Sequence, residues 1–314
     1  MLAVKQQKSH RRVDARLPGS RLRGDDKIWV VALALAIGAV AQADAAGNDV
    51  PNLAGSWGRL SVDFEQPASG PGPVTNLNRK PDGSSNAARR VGNYDDPNLS
   101  PTAAAELKRL GAISLTGETF PNPQNQCRPQ GVPYVLWQLG VQLLQNKDEV
   151  TLLYVVDHQV RHVRMNQQHP AHVVPSWSGD SIGHYEGDTL VVDTVGVKYG
   201  PFSMMDQYGT PYSPALHVIE RYRLIDGMVA KVAAERAMRE NGGVMGSFVD
   251  LNDTSRGLQV EVTVEDPAMF HKPWTGIVTY RPGLPWLEYI CAESPYDYVT
   301  GKNPQLPAAA RADF

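Results

Sequence analysis

The stretch that most constrains this chain is Thr189–Val195, entered from Ile182–Tyr185 through the tight Gly187-Asp188 turn. Its β-branched residues favour an extended backbone, and the short connection leaves an antiparallel hairpin as the natural solution. Comparable runs recur. Val150–Val156 and Gln159–Met165 flank Asp157-His158, and Leu216–Leu224 and Val229–Met238 flank Asp226-Gly227. Trp274–Arg281 and Trp286–Cys291 are separated by residues 282–285. In 258–265, Leu258, Val260, Val262 and Val264 alternate with Gln259, Glu261, Thr263 and Glu265, which is the two-residue period of a strand buried on one side. Short strands with turn signals at roughly ten-residue spacing predict an all-β, mainly antiparallel sandwich or barrel. The 28 glycines and 24 prolines supply turns in that number.

No composition shift divides residues 47–314, so a single β-rich domain is expected there, with Asn52–Trp57 as its first strand. Residues 65–98 are rich in Pro, Gly, Asn and Ser and predict an irregular surface loop. One or two short helices are expected. The clearest has Ser100 as N-cap, Pro101 at the first helical position and Gly111 as its stop. Residues 122–133 are punctuated by prolines and irregular, and the tail 299–314 is expected to fray.

Residues 1–46 read as a signal peptide with a long basic n-region. The apolar run Ile28–Ala41 falls short of the roughly 20 residues that span a bilayer, and Ala43-Asp44-Ala45 fits a small-residue cleavage site. The expectation is a periplasmic or secreted protein with no stable membrane span after processing. Only Cys127 and Cys291 occur, both beyond the leader. In an oxidising compartment they can form one disulfide, worth about 4–5 kcal/mol in the chain-entropy account; the alternative is two buried thiols. The net charge of −3 and the lack of a basic run in the mature part exclude nucleic acid as an expected partner.

No P-loop, dinucleotide-binding glycine motif, nucleophile elbow, H-E-x-x-H or C-x-x-C is present, so no cofactor is indicated. The chemistry-bearing residues fall in five groups. His158 beside Asp157 is a possible general base, or a turn histidine in water. In 216–224, His217, Ile219, Arg221 and Arg223 share one face and Val218, Glu220, Tyr222 and Leu224 the other. Neither face is purely apolar. One of them therefore lines a wet cavity, with His217 moving a proton and Arg221 holding an oxyanion or carboxylate, or the strand is an edge guarded by charge. His184 and Glu186 in the central hairpin come next. Trp177, Tyr185, Trp274 and Tyr289 are candidates for an aromatic wall around a ring-bearing molecule, although such clusters more often form core. His169-Pro170-Ala171-His172 is a weak metal motif, and no metal site is assigned.

The run Pro175-Ser176-Trp177-Ser178-Gly179-Asp180-Ser181-Ile182-Gly183-His184-Tyr185-Glu186-Gly187-Asp188-Thr189-Leu190-Val191-Val192-Asp193-Thr194 resembles the core motif of a large family of exported bacterial β-rich proteins without an assigned activity. The likeness extends to Cys127–Pro133, Arg161, His169-Pro170, Ser213–Tyr222, Asp266-Pro267, Pro273–Thr275 and Glu288–Cys291. Members often carry Trp at the position of Tyr185 and His at that of Tyr212, so this chain keeps the first aromatic ring and lacks the second imidazole. The resemblance implies an exported, barrel-like domain and adds no substrate.

Together these residues predict a cofactor-free enzyme that performs acid–base chemistry (elimination, isomerisation or hydrolysis) on a small, largely apolar molecule. Its catalytic candidates are His217, Arg221, His158, Asp157, His184 and Glu186, and its substrate-binding candidates Trp177, Tyr185, Tyr212, Trp274 and Tyr289. The alternative is a non-catalytic, lipocalin-like small-molecule carrier. An envelope interaction module or a divalent-metal hydrolase using His169 and His172 ranks below both.

Overall fold

The computed structural model describes residues 50–59, 61–86, 89–137, 139–241, 249–250, 252–283 and 291. The leader, the tail, and the expected last strand apart from Cys291 lie outside them, as does Tyr289.

Nine strands close into a barrel in chain order: β1 (Gly55–Gly58), β2 (Gly140–Gln145), β3 (Glu149–Tyr154), β4 (Val160–Met165), β5 (Asp180–Glu186), β6 (Thr189–Val195), β7 (His217–Ile225), β8 (Gly257–Glu265) and β9 (Trp274–Pro282). Every neighbour pair is antiparallel except β4 with β5, and β1 closes on β9 through Trp57–Pro282 and Gly58–Arg281. The parallel pair requires residues 166–179 to run back along the outer wall. Asn166 N–H donates to the Gly183 carbonyl near their start, and Ser176 N–H to the Gly196 carbonyl near their end.

Alternation decides which side chains enter. Leu258, Val260, Val262 and Val264 are fully buried, as the period of two predicts. Val141, Leu143, Val150, Leu152, Val163, Leu190, Val192, Val218 and Val278 meet them in one core. The same core takes in Trp274, 2% exposed, with Phe64 and Phe270 edge-to-face around it; that tryptophan is a packing residue of the interior.

Residues 227–241 correct the expected strand Val229–Met238. They form α2 (Gly227–Asn241), because Ala230, Ala234 and Ala237 recur at helical spacing and are buried on one side. Asp226, expected to be a turn residue, caps that helix by accepting from the Met228 and Val229 amides. α1 spans Pro101–Leu115, and the Ser100 hydroxyl accepts from the Ala103 amide. Gly111 does not stop it. The residue sits where a Cβ would lie 2.5 Å from Val91 Cγ1, so it admits the 91 backbone against the helix. The described residues of 65–98 contain no helix or strand, yet they bury Val74, Asn76 and Val91. No helix among the described residues is long and apolar enough to cross a membrane.

Cys127 and Cys291 form a disulfide with Cα atoms 5.4 Å apart, across 164 residues of chain. It ties residues beyond β9 to the loop at the barrel end where β6 finishes and β7 begins. There Gly131 packs against Val197 and near the Tyr212 hydroxyl, and the Asp157 carboxylate accepts from the Cys291 amide.

Candidate functional site

The barrel interior is filled by side chains. At its polar centre Arg161 of β4 reaches Glu220 of β7 with Nη1 at 3.0 Å and with Nη2, donates from Nη2 to the Thr194 hydroxyl at 2.7 Å, and donates from Nε to Ser181 at 3.0 Å. Tyr222 donates to Glu220 at 2.8 Å. Arg161 is 1% and Glu220 0% exposed. Burial opposes the guanidinium charge, and the carboxylate beside it outweighs that, holding Arg161 well above its ordinary value. Burial next to Glu220 also pushes the Tyr222 phenol far up and Tyr154 to about 12. Arg161 and Glu220 break otherwise apolar inward faces, so each supplies the partner the other needs.

The His217 face therefore points out. Asp193 of the neighbouring β6, on the same outer wall, receives His217 Nε2 at 2.8 Å, while His217 Nδ1 lies 3.3 Å from Glu265, its cross-strand partner on β8. His169, carried over the wall by the crossover, faces the same Asp193 oxygen with Nε2 at 3.3 Å and Asp180 with Nδ1 at 2.5 Å. Arg164 grips Asp180 through both carboxylate oxygens. The result is an alternating row, Arg164–Asp180–His169–Asp193–His217–Glu265. Sequence reading singled out His217 and His169 separately. Nothing in their spacing placed them on one carboxylate, because the crossover that brings them together is a tertiary feature.

The other candidates are spread over the surface. His184 Nε2 lies 3.1 Å from Glu186, which also takes Arg221 Nη2 at 2.5 Å; the paired Arg221 and His184 hold the Glu186 carboxyl below its usual range. These three are exposed or half-exposed on the outer wall. Asp157 and His158 form the β3–β4 turn, both with positive φ. Tyr185 shares a 2.7 Å hydrogen bond with Gln145, and Trp177 lies under the Lys198 ammonium at 4.9 Å. His172 is exposed. No group of three His, Cys, Asp or Glu among the described residues is placed to hold a metal ion.

Among the described sequence candidates, Tyr212 alone lines a cleft of about 790 Å³ between α1 and residues 199–212. Tyr199, Phe202, Met204 and Met269 give it apolar walls, and the Glu106–Arg109 pair of α1 sits on its polar side. Three local features shape it. Gly209 has φ +81°, and a Cβ there would fall 2.2 Å from Leu110, so only glycine lets the loop lie on the helix. Phe202, with φ +67°, holds a backbone conformation costly for a bulky residue, and Arg128 stacks on its ring at 5.7 Å. The Tyr212 hydroxyl donates to the Lys198 carbonyl at 2.8 Å, and burial raises its phenol above the ordinary value. The 199–212 loop carried no sequence motif beyond its aromatics. The strain at Phe202 shows only in the folded backbone.

No family model, no curated protein and no solved structure matches this chain, so the site is read from its own geometry.

Proposed function

We propose that this protein binds a small, largely apolar, ring-bearing molecule in the cleft between α1 and residues 199–212, and that it does so outside the cytoplasm. The observation that carries the reading is the cleft: about 790 Å³, walled by Tyr199, Phe202, Met204, Tyr212 and Met269, with a charged pair at one side. That volume and lining suit a ligand of drug-like size. A filled barrel interior moves the carrier reading from a lipocalin-like lumen to this outer cleft. The Cys127–Cys291 bridge, the leader ending at Ala43-Asp44-Ala45 and the likeness to an exported family support the compartment.

The test is native mass spectrometry of the protein purified from its own host, followed by titration with the fluorescent apolar anion 1-anilinonaphthalene-8-sulfonate. A co-purifying ring compound that competes with the dye, together with dye binding weakened on the order of tenfold by Phe202→Ala, supports the reading. Dye binding unchanged by Phe202→Ala and Tyr199→Ala removes it.

Acid–base turnover is the second reading, favoured by one observation: Asp193 carries His217 at 2.8 Å and His169 at 3.3 Å on the same oxygen. A carboxylate that orients an imidazole is the usual support of a general base. Incubation of the co-purified compound with wild type and with His217→Ala or His158→Ala decides it. Product from wild type and a rate loss on the order of a hundredfold or more in the His217 variant establish chemistry there. Equal rates place the chemistry elsewhere.

A further inference from the structure

Two carboxylates lie buried behind the cleft wall and take no part in the binding reading. Asp206 and Asp63 are each 7% exposed. Asp206 organises the loop that forms the wall. It accepts from the Tyr208 amide at 2.9 Å, the Thr210 amide at 3.1 Å and the Thr210 hydroxyl at 2.5 Å. Its own carbonyl accepts from the Gly209 amide, and the Met205 amide donates to the Thr210 carbonyl. Met204, Gly209, Pro211 and Tyr212 of this loop face the cleft. Asp63 is joined to the same loop by the Tyr208 hydroxyl at 2.7 Å, and its other oxygen, Oδ1, is buried with no hydrogen-bond partner among the described residues.

No cation among the described residues forms an ion pair with either carboxylate. The groups that face them are Arg90, Arg59 and Arg79 from the N-terminal segment, Tyr134 from the 3-10 turn after the disulfide loop, and Tyr208 itself. Arg90 is the cation that acts most strongly on Asp63, yet it stays outside ion-pair distance. Arg59 spends its Nη2 on the Asp63 main-chain carbonyl. Two dry, unpaired negative charges that repel each other are unfavourable by several kcal/mol, and a bound proton is the simplest remedy. A cavity of about 270 Å³ lies nearby, lined by Arg90, Tyr134 and Gln207, the residue after Asp206.

We infer that the buried Asp63 and Asp206 carboxyls, joined through Tyr208, take up a proton in the folded protein, and that this proton is a latch on the 203–212 wall of the cleft. With the proton bound the wall is held; without it, repulsion across Tyr208 loosens the loop. Burial, with Asp63 adding to it, pushes Asp206 up to about 6, and burial raises Asp63 as well. Folded-state values above the unfolded ones mean that the folded pair binds its proton more tightly. The stabilisation is therefore full at low pH and is lost as pH rises through about 6. The proton site rests on the burial of both carboxyls, on the orphaned Asp63 Oδ1 and on the lack of an ion pair to either among the described residues; that the wall belongs to a ligand site rests on the binding reading.

The experiment is amide hydrogen exchange on the full chain without ligand, at pH 5 and pH 7.5, corrected for intrinsic rates. Protection at Met205, Tyr208, Gly209 and Thr210 is expected to fall on the order of tenfold at the higher pH, while Val260 and Val262 of β8 stay unchanged. Asp206→Asn, which keeps an acceptor for the two amides, is expected to abolish the difference, and Asp63→Asn to reduce it. Equal loop protection at both pH values overturns the latch. So does a parallel drop in β8, or a wild-type pH response retained in both variants. If Asp206→Asn does not fold, the wild-type comparison and Asp63→Asn still decide. Because no ligand enters the measurement, a latch that behaves as stated beside a cleft that binds no dye strikes only the binding reading.

Discussion

Arg161 and Glu220 show how much a single buried charge depends on its partner. Glu220→Gln leaves a dry guanidinium facing Thr194 and Ser181, and Arg161→Met leaves a dry carboxylate facing Tyr222. Either change is expected to lower the unfolding free energy by about 3–5 kcal/mol in urea titration, and the double replacement Arg161→Met with Glu220→Leu by much less. The pair was half legible in the sequence. Alternation put Glu220 on the Val218–Tyr222 face, but pairing with a residue 59 positions away requires knowledge of which strands share the lumen. Phe202 carries the opposite lesson, strain rather than compensation. Phe202→Gly relieves a positive φ worth about 1–3 kcal/mol, which offsets the lost packing. Stability is expected to move by less than about 1 kcal/mol while binding of the anilinonaphthalene dye falls. A change that weakens both equally would make Phe202 an ordinary packing residue.

At the scale of elements, caps and periods explain what could be read and what could not. Ser100 caps α1, and Ser100→Ala is expected to cost about 1 kcal/mol, measured by thermal or urea unfolding. Gly111→Ala is expected to destabilise by about 1–3 kcal/mol, although alanine is the better helix former, because its Cβ meets Val91 Cγ1 at 2.5 Å. That contact is invisible in one dimension, which is why glycine reads there as a stop. The misread Val229–Met238 has a similar origin. Its valines suit a strand, but the alanines at 230, 234 and 237 set the helical period, and packing against β8 and β9 selects it. β2 was missed although Val141 and Leu143 alternate with Gln142, since the run is short and lacks a flanking turn pair.

For the whole molecule, the disulfide closes a loop of 164 residues over a barrel that is already sealed by hydrogen bonds between β1 and β9. Cys127→Ser with Cys291→Ser is expected to lower stability by roughly 5 kcal/mol in the loop-closure account while leaving the far-ultraviolet circular dichroism spectrum unchanged, because the strands pair without it. Local order was written along the chain: the strand period at 258–265, the hairpin turn at Gly187-Asp188, the Ser100 cap and an all-β architecture follow from backbone sterics and from which side chains leave water. Closure was not, nor was the direction each polar strand face takes. A period of two separates the faces of a strand without saying which is inside, and that choice falls to the residues 20–60 positions away that meet in the lumen. The cleft, the two-histidine carboxylate and the buried Asp63–Asp206 pair arise from loops and a crossover laid on the barrel. Their geometry is set by long-range packing, which no local propensity encodes.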